Sequence, residues 1–340
     1  MKHSTAYQVA IANSELTVKV DHGDTLLSGI LRAGVGVPYE CNAGGCGSCK
    51  YTLLEGEVAD DFEESAGLRA SDKRKHKHLA CVSRPQSDCK IDLKLDVEYT
   101  PKNPPQKTEA VLHSIEKLTH DLWEFRFDST EPAHFLPGQY AKLSLPGVGG
   151  PRSYSMSNVA NEDGRWLFQI KRVEGGAASE VLFAHALQNL NVTIDAPYSI
   201  AHLQPDSVRP IICVAGGSGL APMVSILHGI AQRDDTAGKP ILYYGARSSR
   251  DVVDKGYFKT ICGFNPDEQY IPVVSEPESS EKWSGATGLV HDCLKTQLQE
   301  GAQGYEYYMA GPPAMVDAVR RHLVLDRAVP VEQLHYDRFF

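Results

Sequence analysis

Four cysteines are spaced like the ligands of a metal cluster. Cys41, Cys46 and Cys49 lie in one short segment with the pattern C-x4-C-x2-C, and Cys81 follows in the sequence His-Leu-Ala-Cys. This spacing is typical of the thiolate ligands of a [2Fe–2S] cluster. Glycines between the ligands let the loop turn and point its backbone amides at the sulfur atoms. We therefore predict that these four cysteines hold a [2Fe–2S] cluster.

Two other interpretations of the cysteines remain open at this point. Cys46-Gly-Ser-Cys49 on its own has the spacing of a dithiol redox motif. Four cysteines are also the usual ligand set of a structural zinc ion. Neither alternative accounts for the offset of Cys41 or for the glycines in the loop.

A second candidate site combines a short motif with a glycine-containing loop. Arg152-Ser-Tyr-Ser155 is a weak motif when taken alone. It gains weight from the segment Lys171–Ser179, where two glycines and a serine open a helix-like stretch that continues to Leu190. Free amides and the helix dipole at such a start favour a phosphate group. The loop residues that we expect at this anion site are Val173, Gly175, Gly176 and Ser179.

A third candidate site follows the buried-strand pattern Ile211–Ala215. The next residues are Gly216-Gly-Ser-Gly219, and Pro222 suits the first turn of the helix that comes after them. Glycines let the backbone approach a phosphate, which faces the N-terminus of the helix. The loop is not the dinucleotide fingerprint G-x-G-x-x-G, because Pro222 stands at the place of the third glycine.

Several elements must position these residues. In residues 1–98, strand-like alternation with a turn near Asn13, a helical pattern over residues 24–34, and strands at Lys50–Leu54 and Ile91–Val97 predict a small mixed sheet with one helix. Residues 99–108 contain three prolines and no periodicity, which indicates a linker. Residues 109–205 hold short alternating runs that predict an antiparallel barrel, at Ala110–Ile115, Leu122–Phe127, Tyr140–Leu145 and Trp166–Arg172.

Residues 206–340 alternate between strand and helix patterns, which predicts a doubly wound parallel sheet. Further strands are expected at Ile241–Tyr244, Tyr270–Val274 and Tyr305–Met309. Ligands bind at the carboxyl ends of the strands in such sheets. The turns at those ends are Gly245–Arg247, Ser275–Glu276 and Ala310–Met315.

Composition narrows the classes of function. The formal charge is −9, from 34 basic and 43 acidic residues, which gives no support to nucleic-acid binding. Eight cysteines in 340 residues do not form a secreted disulfide scaffold. The N-terminal residues lack the apolar core of a signal peptide, and no run of 18 apolar residues occurs. We therefore expect a cytoplasmic protein without a membrane span.

The motifs together resemble a known family of three-domain proteins. Residues 1–98 resemble plant-type ferredoxins, which have a β-grasp fold. Arg152–Ser155 with the loop to Ser179 resembles the FAD-binding barrel of the ferredoxin–NADP reductase superfamily, and Gly216–Pro222 resembles the G-G-x-G-x-x-P loop of its NAD-binding domain. In the order cluster, flavin, nicotinamide, the chain is similar to the NADH-dependent reductase components of bacterial multicomponent oxygenases. These serve dioxygenases of aromatic rings or monooxygenases of the toluene and phenol type.

The resemblance implies roles for individual residues. Arg152 contacts the FAD pyrophosphate, Tyr154 stacks on the isoalloxazine, and Ser155 lies near flavin N5. Phe339 or Phe340 covers the flavin face, so the catalytic residues implied are Tyr154, Ser155 and Phe340. The residues implied to contact NAD are Gly216, Gly217, Ser218, Gly219, Arg247, Asp251, Ala310, Gly311 and Pro312. Ala310 departs from the family, which has a cysteine near the nicotinamide at this position.

The implied function is electron transfer from NADH through FAD and the cluster to an oxygenase or its ferredoxin. A redox sensor and a reductase of a deoxysugar pathway would use the same cofactors and stay open as alternatives. Two charged groups flank the cluster segment, and either could dock the partner or be a solvated face. The acidic group is Asp60, Asp61, Glu63 and Glu64, and the basic group is Lys73 to His78. Asp251 favours NADH because a carboxylate repels a 2′-phosphate, while Arg247 and Arg250 favour NADPH.

Overall fold

The computed structural model describes residues 6–61, 64–184, 189–233, 238–277, 283–298 and 300–339. Its contacts divide the chain into two compact units. Among the described residues, one unit lies within 6–106 and includes 196–198, and the other comprises those of 107–195 and 199–339. No helix in these described ranges is long and apolar enough to cross a membrane.

The first unit is a mixed five-stranded sheet with a helix packed on it. The strands are β1 (Ala6–Ile11), β2 (Thr17–Asp21), β3 (Lys50–Glu55), β4 (Val58–Asp60), β5 (Lys77–Leu79), β6 (Ser83–Pro85) and β7 (Cys89–Leu93), and the helices are α1 (Leu26–Arg32) and α2 (Ala70–Lys73). The sheet order is β2-β1-β7-β3-β5, and β4 pairs with β6 separately. The predicted hairpin, helix and mixed sheet are confirmed.

Helix α1 has the features that the sequence pattern demands. It begins after Thr25, whose hydroxyl accepts a hydrogen bond from the Ser28 amide at 3.2 Å. Leu27, Ile30 and Leu31 are buried on one face. Gly34 follows the helix with φ +75°, a conformation that glycine adopts without strain.

The second unit opens with a six-stranded antiparallel sheet that closes on itself, although Gln106 and residues 196–198 of its strands fall in the first unit. The elements are β8 (Gln106–Lys117), β9 (Leu122–Ser129), β10 (Tyr140–Ser144), β11 (Arg152–Ser155), β12 (Arg165–Lys171), α3 (Ala177–Leu182) and β13 (Asn191–Tyr198). The order is β11-β10-β13-β8-β9-β12. A bridge between Met156 and Phe168 joins the two edges of this sheet, so the predicted barrel is confirmed.

The rest of the second unit is a six-stranded parallel sheet with helices on both faces. The elements are β14 (Ile211–Gly216), α4 (Leu220–Ala231), β15 (Ile241–Ala246), α5 (Lys255–Phe258), α6 (Pro266–Gln269), β16 (Tyr270–Val274), β17 (Ala286–Thr287), α7 (Val290–Gln297), β18 (Glu306–Gly311), α8 (Pro313–Arg321) and β19 (Leu334–Arg338). The order is β17-β16-β15-β14-β18-β19, and every pairing is parallel. Alternate residues of β14 enter two separate cores: Cys213 packs with α4 on one face and Val214 packs with α7 and α8 on the other. The doubly wound prediction is confirmed.

Some predicted elements differ in length from the observed ones. The strand predicted at Ile91–Val97 ends at Leu93, because Asp96 caps a 3₁₀ turn at Val97–Tyr99 by accepting from the Glu98 amide. The helical stretch predicted to reach Leu190 ends at Leu182, and residues 185–188 lie outside the described residues. Among the longer strands, β13 and β19 were not predicted from the sequence, and the short strands β4, β5, β6 and β17 were also missed. Pro197 lies within β13 and weakens its strand signal, and β19 has a mostly polar sequence.

Candidate cofactor sites

The first two cluster cysteines form a close pair under a set of backbone amides. The Sγ atoms of Cys41 and Cys46 are 3.4 Å apart. The amides of Ala43, Gly45 and Cys46 donate to Cys41 Sγ at 3.3–3.4 Å, and the Ser48 amide donates to Cys46 Sγ at 3.5 Å. Amides aimed at sulfur stabilise the thiolate form, which is the form that binds metal.

The other two cysteines form a second pair. The Cys49 sulfur accepts a hydrogen bond from the Cys81 thiol, and this bond holds the pKa of Cys49 below its usual value despite burial. In the first pair the Cys41 thiol plays the same part and lowers the pKa of Cys46 to about 4, again against the effect of burial. The pKa values of Cys41 and Cys81 are raised, because each donates to its partner sulfur and each is buried. Each pair thus contains one thiol with a lowered pKa and one with a raised pKa.

The arrangement in two pairs discriminates between a cluster and a single zinc ion. A tetrahedral zinc site with Zn–S distances near 2.3 Å would bring all four sulfurs within about 3.8 Å of one another. Within the described parts of the chain, the one set of three metal-ligating atoms that lie within 4.8 Å of one another belongs to His120, Asp121 and Asp251, and no three cysteine sulfurs are that close. Two close pairs fit a group that contains two irons, and the four cysteines therefore fit a [2Fe–2S] cluster.

Glycine is required where a neighbouring segment packs on the cluster loop. Gly47 has φ +76°, and a Cβ there would overlap the Gly67 carbonyl oxygen. The Gly67 amide donates to the Gly44 carbonyl at 2.9 Å. Residues 65–68, which lead into α2, therefore pack against the cluster loop and support it. The remaining cysteine of this unit, Cys89, lies apart and donates to the carbonyls of Ser87 and Glu57 at 3.2 and 3.4 Å.

Strand β11 carries the three residues that the resemblance assigns to FAD. Ser155 is buried and Tyr154 is partly buried, and burial raises the pKa of Tyr154, although Arg152 opposes this effect. Arg152 is exposed, and its guanidinium donates to the carbonyls of Gly149, Gly150 and Pro151 at 3.0–3.2 Å. These bonds hold the side chain at the end of β11 with other donors still available for a phosphate.

The loop between β12 and α3 has the form that a phosphate contact needs. Gly175 has φ +69°, and a Cβ there would meet no atom within 4 Å, so the backbone is open at this point. The hydroxyl of Ser179 accepts from the Val173 amide at 2.9 Å. Ser179 therefore shapes the loop, and its hydroxyl hydrogen is still available to a ligand. The loop and β11 come from the two strands that close the barrel, and this arrangement fits FAD.

The last described residue, Phe339, lies at the carboxyl end of β18 in the parallel sheet. The Phe339 amide donates to the Gly311 carbonyl at 2.9 Å, and its ring packs against the core cluster that contains Ala310 and Met223. Phe340 lies outside the described residues. Its assignment to the flavin face therefore stays a prediction.

Glycines allow two loops at the end of the parallel sheet to touch. A Cβ on Gly219 would overlap the Ala310 carbonyl, and a Cβ on Gly216 would lie 2.7 Å from Met315 Sδ. Gly311 has φ +141° and lies against the Gly216 backbone. Gly217 has φ +55° and open space beside it. The loop after β14 is thus supported by the loop after β18 and leaves its own backbone open to a ligand.

A cleft of about 1170 Å³ lies at the carboxyl ends of these strands. Residues of all three turns singled out in the sequence line it, namely Gly245, Ala246, Arg247, Ser275, Glu276, Pro312, Ala314 and Met315. Of the residues predicted to contact NAD, Gly216, Gly217, Arg247, Asp251 and Pro312 line the cleft, whereas Ser218, Gly219, Ala310 and Gly311 are not part of its lining. Ala310 is 1% exposed. The size and the open glycine backbone fit a dinucleotide.

Asp251 lines this cleft with its carboxylate already engaged. Oδ2 accepts from the amide and the hydroxyl of Ser248, both at 2.9 Å. Oδ1 lies 3.7 Å from His120 Nδ1 and 4.0 Å from Lys171 Nζ. Burial opposes ionisation of Asp251, but the Ser248 bonds, together with the nearby Lys171 and His120 side chains, outweigh it and lower the pKa. Its predicted role at the adenosine ribose stays a prediction.

The barrel supplies one wall of the cleft, which sequence reasoning did not find. His120 and Asp121 lie in the turn between β8 and β9, and Lys171 ends β12. Lys171 Nζ is 3.1 Å from Asp121 Oδ2. This ammonium group partly neutralises the set formed by His120, Asp121 and Asp251, so ion pairing accounts for their proximity. Nothing in the local sequence around residue 120 signals a contact with residue 251.

A buried polar network continues this contact between the barrel and the parallel sheet. Glu124 accepts from Tyr257 at 2.8 Å and from Ser157 at 2.9 Å, while Gln169 donates to Tyr257 at 2.7 Å. Burial of the Tyr257 hydroxyl, and then the adjacent Glu124 charge, raise the pKa of Tyr257 well above its ordinary value. The neutral phenol therefore persists as a hydrogen-bond donor that ties α5 to the barrel.

Comparison with known families assigns each part of the chain. A 2Fe-2S iron-sulfur cluster binding domain matches residues 9–86, an oxidoreductase FAD-binding domain matches residues 109–201, and an oxidoreductase NAD-binding domain matches residues 213–321. The first match includes all four cysteines of the two pairs and ends before Cys89. The cofactors of the protein are accordingly a [2Fe–2S] cluster, FAD and NADH.

Two known proteins and one solved structure are similar to this chain over nearly its whole length. Ferredoxin--NAD(P)(+) reductase CarAd of Metapseudomonas resinovorans is 37% identical over 94% of this chain and 95% of that protein. The xylene/toluene monooxygenase electron transfer component XylA of Pseudomonas putida is 32% identical over 98% of this chain and 93% of that protein. A solved structure of the ferredoxin reductase in carbazole 1,9a-dioxygenase superposes with a TM-score of 0.91 and 34% identity, and covers 100% of both chains. The chain therefore belongs to the family of NADH-dependent iron–sulfur flavoprotein oxidoreductases, whose members include these electron-transfer components.

Proposed function

We propose that the chain passes electrons from NADH to an oxygenase or to the ferredoxin of that oxygenase. The observation that carries this proposal is the pairing of the four cysteines in a chain that also has FAD-binding and NAD-binding domains. A flavin converts a two-electron donor into a source of single electrons, and an iron–sulfur cluster carries one electron at a time. XylA is named as an electron transfer component of a monooxygenase, and the similar solved structure as a ferredoxin reductase in a dioxygenase, which supports this class of partner.

The chain's own residues bind and orient the cofactors. Arg152 would neutralise the FAD pyrophosphate at the end of β11, and the amides at the start of α3 would face the same phosphates. Tyr154 would stack on the isoalloxazine, with Ser155 beside it as a hydrogen-bond donor. Phe339 or Phe340 would cover the flavin face. These roles rest on the resemblance and on the closure of the barrel between β11 and β12.

The cleft at the end of the parallel sheet is the proposed NADH site. The pyrophosphate would lie on the backbone of Gly216 to Gly219, where the helix dipole of α4 favours an anion. The adenosine would lie toward Arg247, Ser248 and Asp251, which line the cleft. Preference for NADH over NADPH would come from the negative charge of Asp251, which the nearby side chains of Lys171 and His120 partly offset.

The charges near the cluster loop indicate an acidic partner. The acidic group is largely paired, because Asp60 binds His78 at 2.8 Å and Asp61 binds Arg84 at 2.7 Å. Glu63 lies outside the described residues. Arg74 and Lys75 are exposed and make no ion pair with any described residue, while Lys73 has only an exposed contact of 3.7 Å with Glu64. A surplus of positive charge therefore lies on the segment that follows Gly67, next to the cluster loop.

Turnover with a one-electron acceptor tests the proposal. Purified protein that contains iron, sulfide and FAD should reduce cytochrome c continuously at the expense of NADH. It should also support product formation when mixed with an oxygenase encoded beside it. If NADH oxidation stops once the bound FAD and cluster are reduced, and cytochrome c is not reduced further, the result would contradict the proposal and favour a redox sensor. If the purified protein turns over with cytochrome c but reduces neither an oxygenase nor a ferredoxin, only the partner assignment would be contradicted.

A further inference from the structure

The side chain of Asn42 is not explained by the cysteine ligands or by the fold. Asn42 is 8% exposed, and both its amide nitrogen and its amide oxygen are buried without a hydrogen-bond partner among the described residues. A buried amide without a hydrogen-bond partner destabilises the folded state. Buried polar groups in native proteins are almost always paired, and those that lack a protein partner usually have a water, an ion or a ligand.

The position of Asn42 indicates which ligand this is. It directly follows Cys41, whose sulfur accepts from three backbone amides of the same loop. It is also the one residue between Cys41 and Cys49 that carries a carboxamide. Backbone amides of this loop are directed at the Cys41 sulfur, and the buried carboxamide of Asn42 lies in the same loop, where the cluster is expected.

Backbone conformation alone does not account for the residue. Asn42 has φ +49°, a region in which asparagine and glycine are the favoured residues. Glycine would meet that requirement without burying an unpaired carboxamide, and Gly44 does so two residues later with φ +78°. The free-energy cost of the buried amide therefore needs a compensating interaction.

We propose that the Asn42 carboxamide donates a hydrogen bond to the bound [2Fe–2S] group and raises its reduction potential. The proposal rests on the cluster assignment made above. A reduced cluster carries one more negative charge, and a hydrogen bond to its sulfur stabilises that charge. Loss of the donor therefore shifts the potential to more negative values. Asn42 is a tuning residue in this proposal and takes no part in ligation.

Two variants separate the side chain from the backbone. Asn42→Gly keeps the positive φ and deletes the carboxamide. Asn42→Asp keeps the shape and replaces the donor by a negative charge. Asn189→Gly is the matched control, because Asn189 also has a positive φ, +66°, but is exposed and belongs to the barrel. Iron content and the spectrum of the oxidised protein show whether each variant holds the cluster.

The readout is a potentiometric titration of the cluster followed by absorbance and by electron paramagnetic resonance. At a poise where the unmodified cluster is half reduced, Asn42→Gly should lower the ratio of reduced to oxidised cluster about three- to tenfold, and a tenfold change corresponds to ~59 mV for one electron. Asn42→Asp should lower the ratio further. Asn189→Gly should leave it unchanged.

Three results would overturn the inference. An unchanged ratio in Asn42→Gly would show that the residue serves the backbone only. If Asn42→Gly fails to hold iron, an unchanged or raised ratio in Asn42→Asp would decide against the hydrogen bond. Absence of iron from the unmodified protein would overturn the cluster assignment together with this inference, whereas the first two results leave that assignment intact.

Discussion

The cluster loop and the dinucleotide cleft are built in different ways. Three of the four cluster ligands come from nine consecutive residues, and their geometry is set by amides of the same loop. The cleft is lined by the ends of separate strands of the parallel sheet and by a turn of the barrel, so its parts are distant in sequence. Most contacts in the cluster loop are between residues close in sequence. The cleft depends on contacts between distant residues, so it exists only once the second unit has folded.

The difference has a consequence for how each site tolerates change. Each cysteine supplies a bond that no neighbour can replace, so loss of one ligand removes the site. The cleft distributes its contacts over many backbone groups and several charges, so most single changes there should be graded. The cleft has an exception where its two loops touch, because glycine there leaves no room for a side chain.

The largest effect is expected for a fourth-ligand variant. Cys81→Ser should remove or impair the cluster and lower NADH-dependent cytochrome c reduction by about 100-fold or more, because loss of a residue that merely supports a metal ligand already costs about 10–100-fold. Reduction of the flavin by NADH should persist, since it uses the other unit. Iron analysis and stopped-flow absorbance measure the two effects separately.

Cys89→Ser is the matched control for this prediction. Cys89 is a buried thiol of the same domain, but it donates to carbonyls of Ser87 and Glu57. It should keep the cluster and the activity. Loss of iron from Cys89→Ser with retention in Cys81→Ser would refute the ligand set.

The next largest effect is expected where the two glycine loops touch. Gly219→Ala places a Cβ on the Ala310 carbonyl, which is backbone and cannot move aside cheaply. We expect a loss of about 3 kcal/mol or more in the free energy of unfolding, or a displaced loop that no longer binds NADH. Denaturant unfolding and the KM for NADH measure these outcomes.

Gly304→Ala provides the comparison, because a Cβ on Gly304 would meet no atom within 4 Å and the residue lies away from the cleft lining. It should change stability by less than about 1 kcal/mol. Wild-type stability and KM in Gly219→Ala would show that the contact between the two loops is not essential to the cleft.

The same contrast explains what the sequence could and could not predict. The spacing of Cys41, Cys46 and Cys49 reports a local structure directly, so the sequence predicts individual ligands, and the structure places these cysteines and Cys81 in two pairs. The floor of the cleft was also predictable, because apolar strand patterns and glycine-rich turns mark the carboxyl ends of parallel strands. The wall from the barrel was not, since the contact of Lys171 and His120 with Asp251 depends on how the barrel packs on the sheet. Nor did the sequence show that Ser248 occupies the Asp251 carboxylate.

A graded effect is expected at Asp251. Asp251→Asn removes one negative charge but keeps an oxygen that can accept from the Ser248 amide, so the turn should survive. Lys171, His120 and Arg250 would then face a 2′-phosphate without the opposing charge. We expect kcat/KM for NADPH relative to NADH to rise about tenfold, which corresponds to about 1.4 kcal/mol.

Asp254→Asn is the control, because Asp254 is an exposed aspartate that caps the next helix and does not line the cleft. It should leave the cofactor preference unchanged. If the ratio of kcat/KM for NADPH to that for NADH is identical in Asp251→Asn and the unmodified protein, the side chains of Lys171 and His120 already offset the charge of Asp251 completely.

The smallest effect is expected on the surface beside the cluster loop. Reversal of Lys73, Arg74 and Lys75 to glutamate should slow electron delivery to an oxygenase or ferredoxin about threefold at low ionic strength, because exposed charges steer an encounter but add little affinity. The effect should fade as salt rises, since the Debye length falls to about 8 Å at physiological ionic strength. Reversal of Lys19, Lys90 and Lys94, three exposed lysines on other parts of the same unit, changes the net charge equally. An equal slowing in both triple variants would show that net charge alone steers the partner. If only the first variant slows, and cytochrome c reduction at high salt is unchanged in both, the partner binds at residues 73–75, on the segment that supports the cluster loop. The cluster loop would then face the acceptor on the side that carries this positive charge.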